Sequence, residues 1–320
     1  MKLLTSAAVS LLLISLAGVS YSQISQTERE ALIALFNATG GYNWSINNGW
    51  NGAAGTECDW YGVGCSYGSV SRIVLDDNSL SGSIPAELGN LTNLTSLYLN
   101  VNSLTGSIPS ELGNLTNLVF LSLNNNSLSG SIPTELGNLT KITVLYLSNN
   151  SLTGSIPAEL GNLTNVTDLS LNFNSLTGNV PSELGNLTNL TSLSFNNNSL
   201  SGSIPAELGN LTNLTYLFLD NNSLTGSIPS ELGNLTDLSG FSLGDNFLTG
   251  PLPQWLSDMA IPYLNVTDAF NEWPSPYNGV TPDSAFNLEF NNIGTFNSSD
   301  STIYTCLRVF TDGLPGSVGG

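Results

Sequence analysis

The sequence predicts an α/β solenoid, a stack of near-identical units carrying one long parallel β-sheet and closed at its start by a helical cap. Three observations predict it. Residues 91–114, 115–138, 139–162, 163–186, 187–210 and 211–234 align without a gap, and degenerate copies flank them at 67–90 and 235–258, giving eight units of 24 residues. Within each unit a short stretch alternates apolar and polar residues with the two-residue period of a strand. Between these stretches, Gly, Ile-Pro and Leu-Gly recur at fixed offsets, the punctuation of the crossover that parallel strands need. So strict a period implies units that bury their apolar faces only against their neighbours.

Each position of the unit has a physical reason. In "LTSLYLNVN" (94–102), Leu97 and Leu99 alternate with Ser96, Tyr98 and Asn100, so one face of the strand is buried. Equivalent strands would lie ~4.8 Å apart in a single ladder. Gly106 permits a tight backbone turn. Pro109 holds Ile108 extended and suits the first position of a short helical turn. Glu111 stands where the positive end of that turn favours an acid, and Gly113 could end it in a left-handed conformation. An asparagine follows the strand in every unit: Asn78, Asn102, Asn126, Asn150, Asn174, Asn198, Asn222 and Asn246. At a bend inside a packed stack its amide can satisfy backbone groups that have lost water, so these residues are read as structural.

The flanks differ from the repeats. Residues 1–22 read as a signal peptide: Lys2 opens it, Leu11-Leu12-Leu13-Ile14 forms its apolar centre, and small residues precede Gln23. With that segment cleaved, no later stretch has the ~20 apolar residues of a spanning helix, and a secreted or cell-surface location follows. Residues 23–66 read as an amino-terminal cap. Ser25 and Glu28 form a capping box, and Leu32, Ile33, Leu35 and Phe36 make an apolar helical stripe. Trp44, Trp50 and Trp60 can cover the first leucines, the alternative being an exposed platform for carbohydrate. Residues 259–320 lack the period and read as a carboxy-terminal cap or small β-rich segment, with strand-like runs at 286–290 and 301–310. Of the three cysteines, Cys58 and Cys65 could close a short loop. Cys306 is left as a free thiol, an intermolecular bridge or a long-range partner.

Together these motifs resemble the plant-type extracellular leucine-rich repeats of plant receptor ectodomains, polygalacturonase-inhibiting proteins and secreted microbial proteins. The shared pattern is LxxLxxLxLxxNxLxGxIPxxLGx. The resemblance implies a right-handed superhelix with the parallel sheet on its concave face, short helical turns on its convex face, an asparagine ladder and a second short strand before Ile-Pro. The segment "CDWYGVGC" matches the family's amino-terminal cap through Cys58, Trp60, Gly62, Val63 and Cys65, and implies a Cys58–Cys65 disulfide.

Composition narrows the function. Twenty-four acidic residues stand against five basic ones, a formal charge of −19, which argues against a nucleic-acid partner or an anionic lipid surface. The chain has no histidine, which removes Ser-His-Asp and Cys-His nucleophiles, His-based zinc sites and the commonest general base. No metal or cofactor site is expected. The carboxylates Glu87, Glu111, Glu135, Glu159, Glu183, Glu207 and Glu231 hold one repeat position, a regular row unlike the singular constellation catalysis needs. N-x-S/T triplets at Asn90 and its equivalents are glycan acceptors in a eukaryotic secretory pathway, or simply a repeated structural phrase. Function is therefore sought where the units differ, on the sheet's outer face. The candidates there are Arg72, Tyr98, Phe120, Tyr146, Asp168, Phe173, Tyr216 and Phe218, because exposed aromatics anchor interfaces. The expected activity is non-enzymatic recognition of an extracellular protein or glycan. The alternative is adsorption to ice or polysaccharide through the regular Asn/Ser/Thr array, and an enzyme ranks third.

Overall fold

The computed structural model describes residues 24–259 and 261–266. The expected signal peptide, both carboxy-terminal strand-like runs and Cys306 lie outside the described residues. Among those described, a ten-stranded sheet runs the length of the molecule. Its strands include Ser69–Val74, Ser96–Tyr98, Phe120–Ser122, Val144–Tyr146, Asp168–Ser170, Ser192–Ser194, Tyr216–Phe218 and Gly240–Ser242. They pair in parallel, Ser96 beside Phe120 and Phe120 beside Val144, so equivalent positions of successive units form straight columns. The inward column, Leu97, Leu121, Leu145, Leu169, Leu193 and Leu217, is buried. Each such leucine contributes roughly 1.5–3 kcal/mol by leaving water.

Each unit returns through a second short strand, such as Ser103–Thr105, and a 3-10 helix, such as Ser110–Asn114. Two details of the turn differ from the sequence reading. Pro109 stands just before the helix rather than at its first position, with φ −65° and ψ 135°. Its ring fixes φ but leaves ψ free to stay extended. Gly113 does not adopt a left-handed conformation; Gly106 does, at φ 75°. Gly113 is small for a different reason: a Cβ there would lie 2.4 Å from the carbonyl oxygen of Glu135 in the next unit. The helical rungs pack so closely that only glycine fits.

The asparagine column ties rung to rung. Asn126 Nδ2 donates to Leu99 O of the preceding unit at 3.0 Å and to Leu123 O of its own at 3.0 Å. Its Oδ1 accepts the Leu104 N–H at 3.0 Å. The same geometry holds from Asn102 to Asn246. Asn78 has no preceding unit, and the cap replaces it: Ile46 N–H donates to Asn78 Oδ1 and Ile46 O accepts from Nδ2.

The cap begins with the helix Gln26–Ala38, whose Ser25 and Glu28 exchange both hydrogen bonds of a capping box. Glu28 also accepts the N–H of Val70 at 3.0 Å, so the helix cap is tied to the first repeat strand. The strand Val63–Ser66 pairs antiparallel with Ser69–Val74 and covers the edge of the sheet. Cys58 and Cys65 are disulfide-bonded. Trp44, Trp50 and Trp60 are buried, with successive ring centroids 4.9 and 5.1 Å apart. Their rings pack edge-on and stacked against each other and Phe36, so these three cap tryptophans are not the exposed platform for a sugar that the sequence left open. Beneath them Arg29 pairs with the buried Glu57 and donates to Gly52 O at 2.7 Å. Burial alone would raise the Glu57 pKa. Its own backbone N–H, the Arg29 guanidinium and the Gly55 N–H outweigh that and hold it below the ordinary 4.5.

At the other end the stack continues past the boundary the sequence suggests. The strand Tyr263–Asn265 adds a tenth rung, with Tyr263 beside Gly240, 23 residues on instead of 24. The unit between them carries a true α-helix, Gln254–Asp258, in place of the 3-10 turn. That one-residue slip conceals Ile261, Leu264 and Val266 as the last copies of the leucine pattern. Among the described residues no helix is long and apolar enough to cross a membrane.

Candidate binding face

The outer face of the ten-stranded sheet is where the units stop being alike. Inward columns are leucine with few exceptions, whereas the outward columns read Arg72, Ser96, Phe120, Val144, Asp168, Ser192, Tyr216, Gly240 and Val74, Tyr98, Ser122, Tyr146, Ser170, Ser194, Phe218, Ser242. Because register is exact, each side chain lies one strand spacing from its counterparts, about 4.8 Å. Side chains two rungs apart therefore reach each other only when they are long.

Two groups form on the face, through contacts within a rung, between adjacent rungs and across two rungs. Near the cap, the Arg72 guanidinium lies 5.8 Å from the centre of the Tyr98 ring, and Tyr98 stacks on Phe120 at 6.3 Å. Such a cation–π contact holds the arginine on the face and leaves its remaining donors free for a partner. Near the far end, Tyr216 lies 6.0 Å from Phe218, which meets Tyr263 edge-on at 5.9 Å. Gly240 makes room for that group: a Cβ there would come within 2.8 Å of the Tyr216 ring. Four rungs separate Phe120 from Tyr216, roughly 19 Å by strand spacing.

Between the groups the face is narrower in character. Tyr146 and Asp168 are half-buried neighbours, and the Thr167 hydroxyl donates to Asp168 Oδ2 at 2.8 Å. Burial, with the Asp168 charge adding to it, raises the Tyr146 pKa above the ordinary 10.0. Phe173 stands apart from both groups. It sits on the shoulder after its strand, 48% exposed, and makes no ring contact among the described residues.

Of the eight side chains singled out in the sequence, then, Arg72, Tyr98 and Phe120 come together, Tyr216 and Phe218 come together, Tyr146 and Asp168 meet midway, and Phe173 is alone. Tyr263 belongs to the far group and was missed. The signal for it was Ile261-x-x-Leu264-x-Val266, legible once a one-residue deletion is allowed. Gly240, which the sequence did not single out, is the space that seats two rings. Among the described residues no three His, Cys, Asp or Glu side chains could hold a metal ion. The glutamate row at Glu111 and its equivalents lies exposed on the helical turns, away from this face.

Comparison with known proteins agrees with this architecture. A family model for a leucine-rich repeat region matches residues 74–179, and one for paired leucine-rich repeats matches 188–229. A probable inactive receptor kinase of Arabidopsis thaliana is 38% identical over 95 residues, 29% of this chain and 14% of that protein. The plant peptide hormone receptor RGFR1, solved in complex with RGF2, superposes with a TM-score of 0.59 at 41% identity. That match covers 61% of this chain and 32% of the receptor chain. A plant ice-binding protein superposes with a TM-score of 0.56 at 28% identity, over 79% of this chain and 99% of that one. The chain thus spans about a seventh of the receptor kinase and about a third of the hormone receptor. Its repeat, its asparagine ladder, its cap disulfide and these likenesses make it a leucine-rich-repeat protein of the plant extracellular type.

Proposed function

We propose that the protein is a secreted or cell-surface, non-enzymatic binding protein that holds an extended polypeptide partner along the concave face of its sheet. The observation that carries this reading is the confinement of variation. Inward and structural positions such as Leu97, Asn102 and Gly106 recur with few exceptions through the stack, while most of the aromatic and charged departures from the repeat lie on one face of the sheet. A frame that is constant everywhere else and irregular there has a surface to customise. Two aromatic groups ~19 Å apart suit a partner that lies along the stack rather than one that enters a pocket. The kinship with a peptide hormone receptor supports a polypeptide over a glycan.

Alanine at Tyr98 and at Tyr216 should each weaken capture of the partner at least tenfold while leaving the unfolding midpoint within about 2 °C of the parent. Capture that is unchanged in both variants rejects the concave face.

One specific observation favours a second reading, adsorption to ice: the plant ice-binding protein matches over 99% of its own length. The outward positions of the second strands, such as Ser103, Thr105, Ser129, Ser131, Ser151 and Thr153, are exposed hydroxyls at a regular spacing. A thermal-hysteresis measurement on the purified chain separates the readings, since a peptide-binding protein has no reason to depress the freezing point non-colligatively.

A further inference from the structure

One column of the stack is held in a conformation that most side chains avoid. The residue just before each ladder asparagine is left-handed in all eight units: Asp77, Val101, Asn125, Asn149, Phe173, Asn197, Asn221 and Asp245, with φ between 47° and 57°. The stack imposes this. At Val101 the N–H donates to Asn124 O at 3.0 Å and the following N–H, of Asn102, donates to Asn125 O at 3.1 Å. Phe173 and Asn174 repeat the pattern with Asn196 and Asn197. Both sides of the residue are pinned, so the side chain must accept the backbone it is given.

Asparagine and aspartate accept it readily, which explains six of the eight residues. Valine does not, because a β-branched side chain crowds the adjacent carbonyl in this region. Phenylalanine is also disfavoured there. Neither gains internal packing in exchange: Val101 is 45% and Phe173 48% exposed. Strain without a local compensation points to a contact made elsewhere.

Given the concave-face reading above, on which this rests, we infer that Val101 and Phe173 are specificity-determining studs that grip two apolar side chains of the bound polypeptide. They are three units apart, about 14 Å at the spacing of a sheet. An extended chain covers that distance in about four residues, and residues i and i+4 of a strand point to the same side. The partner therefore carries apolar side chains at i and i+4. Asp168 lies on the same rung as Phe173, and the chain is strongly acidic, so the partner residues beside the second anchor are neutral or basic.

The test uses the full chain and a phage-displayed library of random dodecapeptides as probe. Selected peptides should share apolar residues four apart. Val101→Asn and Phe173→Asn should each weaken those peptides at least tenfold, yet raise the unfolding midpoint by roughly 2 °C by relieving strain. Loss of binding with a gain of stability is a pairing that a merely structural residue does not give. Asn149→Val, which installs the strain in a unit that lacks it, should lower the midpoint by a similar amount and leave binding alone. Should Tyr98→Ala and Tyr216→Ala release the peptides while the two asparagine variants hold them, the studs are wrong and the concave face stands. If none of the four variants matters, or the library yields no enriched sequence, both fall. A midpoint that drops in Val101→Asn or does not move in Asn149→Val refutes the strain.

Discussion

Leu145 and Tyr146 are neighbours on one strand, and nothing better separates what holds this molecule together from what it offers to a partner. Leu145 faces inward, is wholly buried, and is leucine again at every full repeat from 97 to 217. Tyr146 faces outward, is half-buried, and has serine at the same position in the units on either side. A two-residue period assigns one side chain to the stack and the next to the surface. Selection for packing then acts on one column, and selection for recognition is free to act on the other.

The comparison breaks most sharply by truncating each. Leu145→Ala should cost about 4 kcal/mol of stability, because neighbouring rungs are pinned by their ladders and cannot collapse into the cavity. Tyr146→Ala should cost less than about 1 kcal/mol and show itself in partner binding instead. Chemical denaturation of both variants measures the contrast, and equal losses would mean that the two faces are not distinct in kind.

Asn149 and Asn150 extend the comparison to two identical side chains. Asn150 Nδ2 donates to Leu123 O and Leu147 O at 3.1 Å each, and its Oδ1 accepts the Leu128 N–H at 2.9 Å. Alanine there strands three backbone groups in a region with little water, a loss of about 3 kcal/mol. Asn149 makes no side-chain hydrogen bond of this kind and serves its left-handed backbone at φ 53°. Its alanine variant should lose about 1 kcal/mol, the cost of placing an ordinary residue in that region. Stability curves in which the two substitutions are equivalent would remove the ladder's special standing.

How far the sequence reaches follows from the same contrast. Spacing and alternation revealed the sheet, the turns and the asparagine ladder, because each is repeated eight times and each copy supports the others. Gly113 misled because glycine answers two different demands, positive φ and close approach, and composition does not say which. The tenth strand at Tyr263–Asn265 escaped because a single missing residue breaks a strict period without breaking the packing. On the outer face the aromatic side chains were legible one by one, but their grouping was not. That depends on ring reach across rungs and on the space Gly240 leaves. The strain at Val101 and Phe173 is invisible in a sequence, since nothing in the letters marks the backbone angle at which they sit.

The cap offers a smaller effect with a clear sign. Glu57 has a lowered pKa in the folded chain, so its contribution to stability is present above the ordinary 4.5 and fades as pH falls through the folded value. Acid titration followed by tryptophan fluorescence should therefore show the Trp44–Trp50–Trp60 cluster loosening in that window. In Glu57→Gln the dependence should be lost, with the cap weaker at neutral pH because Arg29 loses its charged partner. The sheet lies outside this aromatic cluster, so a far-ultraviolet signal from it should change less over the same range.

The smallest effect lies on the proposed binding face. Tyr146 has its pKa raised first by burial and then by Asp168, so the folded chain favours the neutral phenol. That preference is complete below the ordinary 10.0 and is lost as pH climbs through the folded value. Asp168→Asn removes only the second cause, so the phenol should titrate lower than in the parent and still above 10.0. Alkaline difference absorbance, with Tyr146→Phe to identify the signal, resolves the shift. If Asp168→Asn leaves the titration where it was, the carboxylate does not act on the ring, and Tyr146 and Asp168 are neighbours on the face without forming a single polar spot. A shift of the expected sign would mean that a partner replacing water over this stretch meets a neutral hydroxyl beside a charge, and must bring a donor for each.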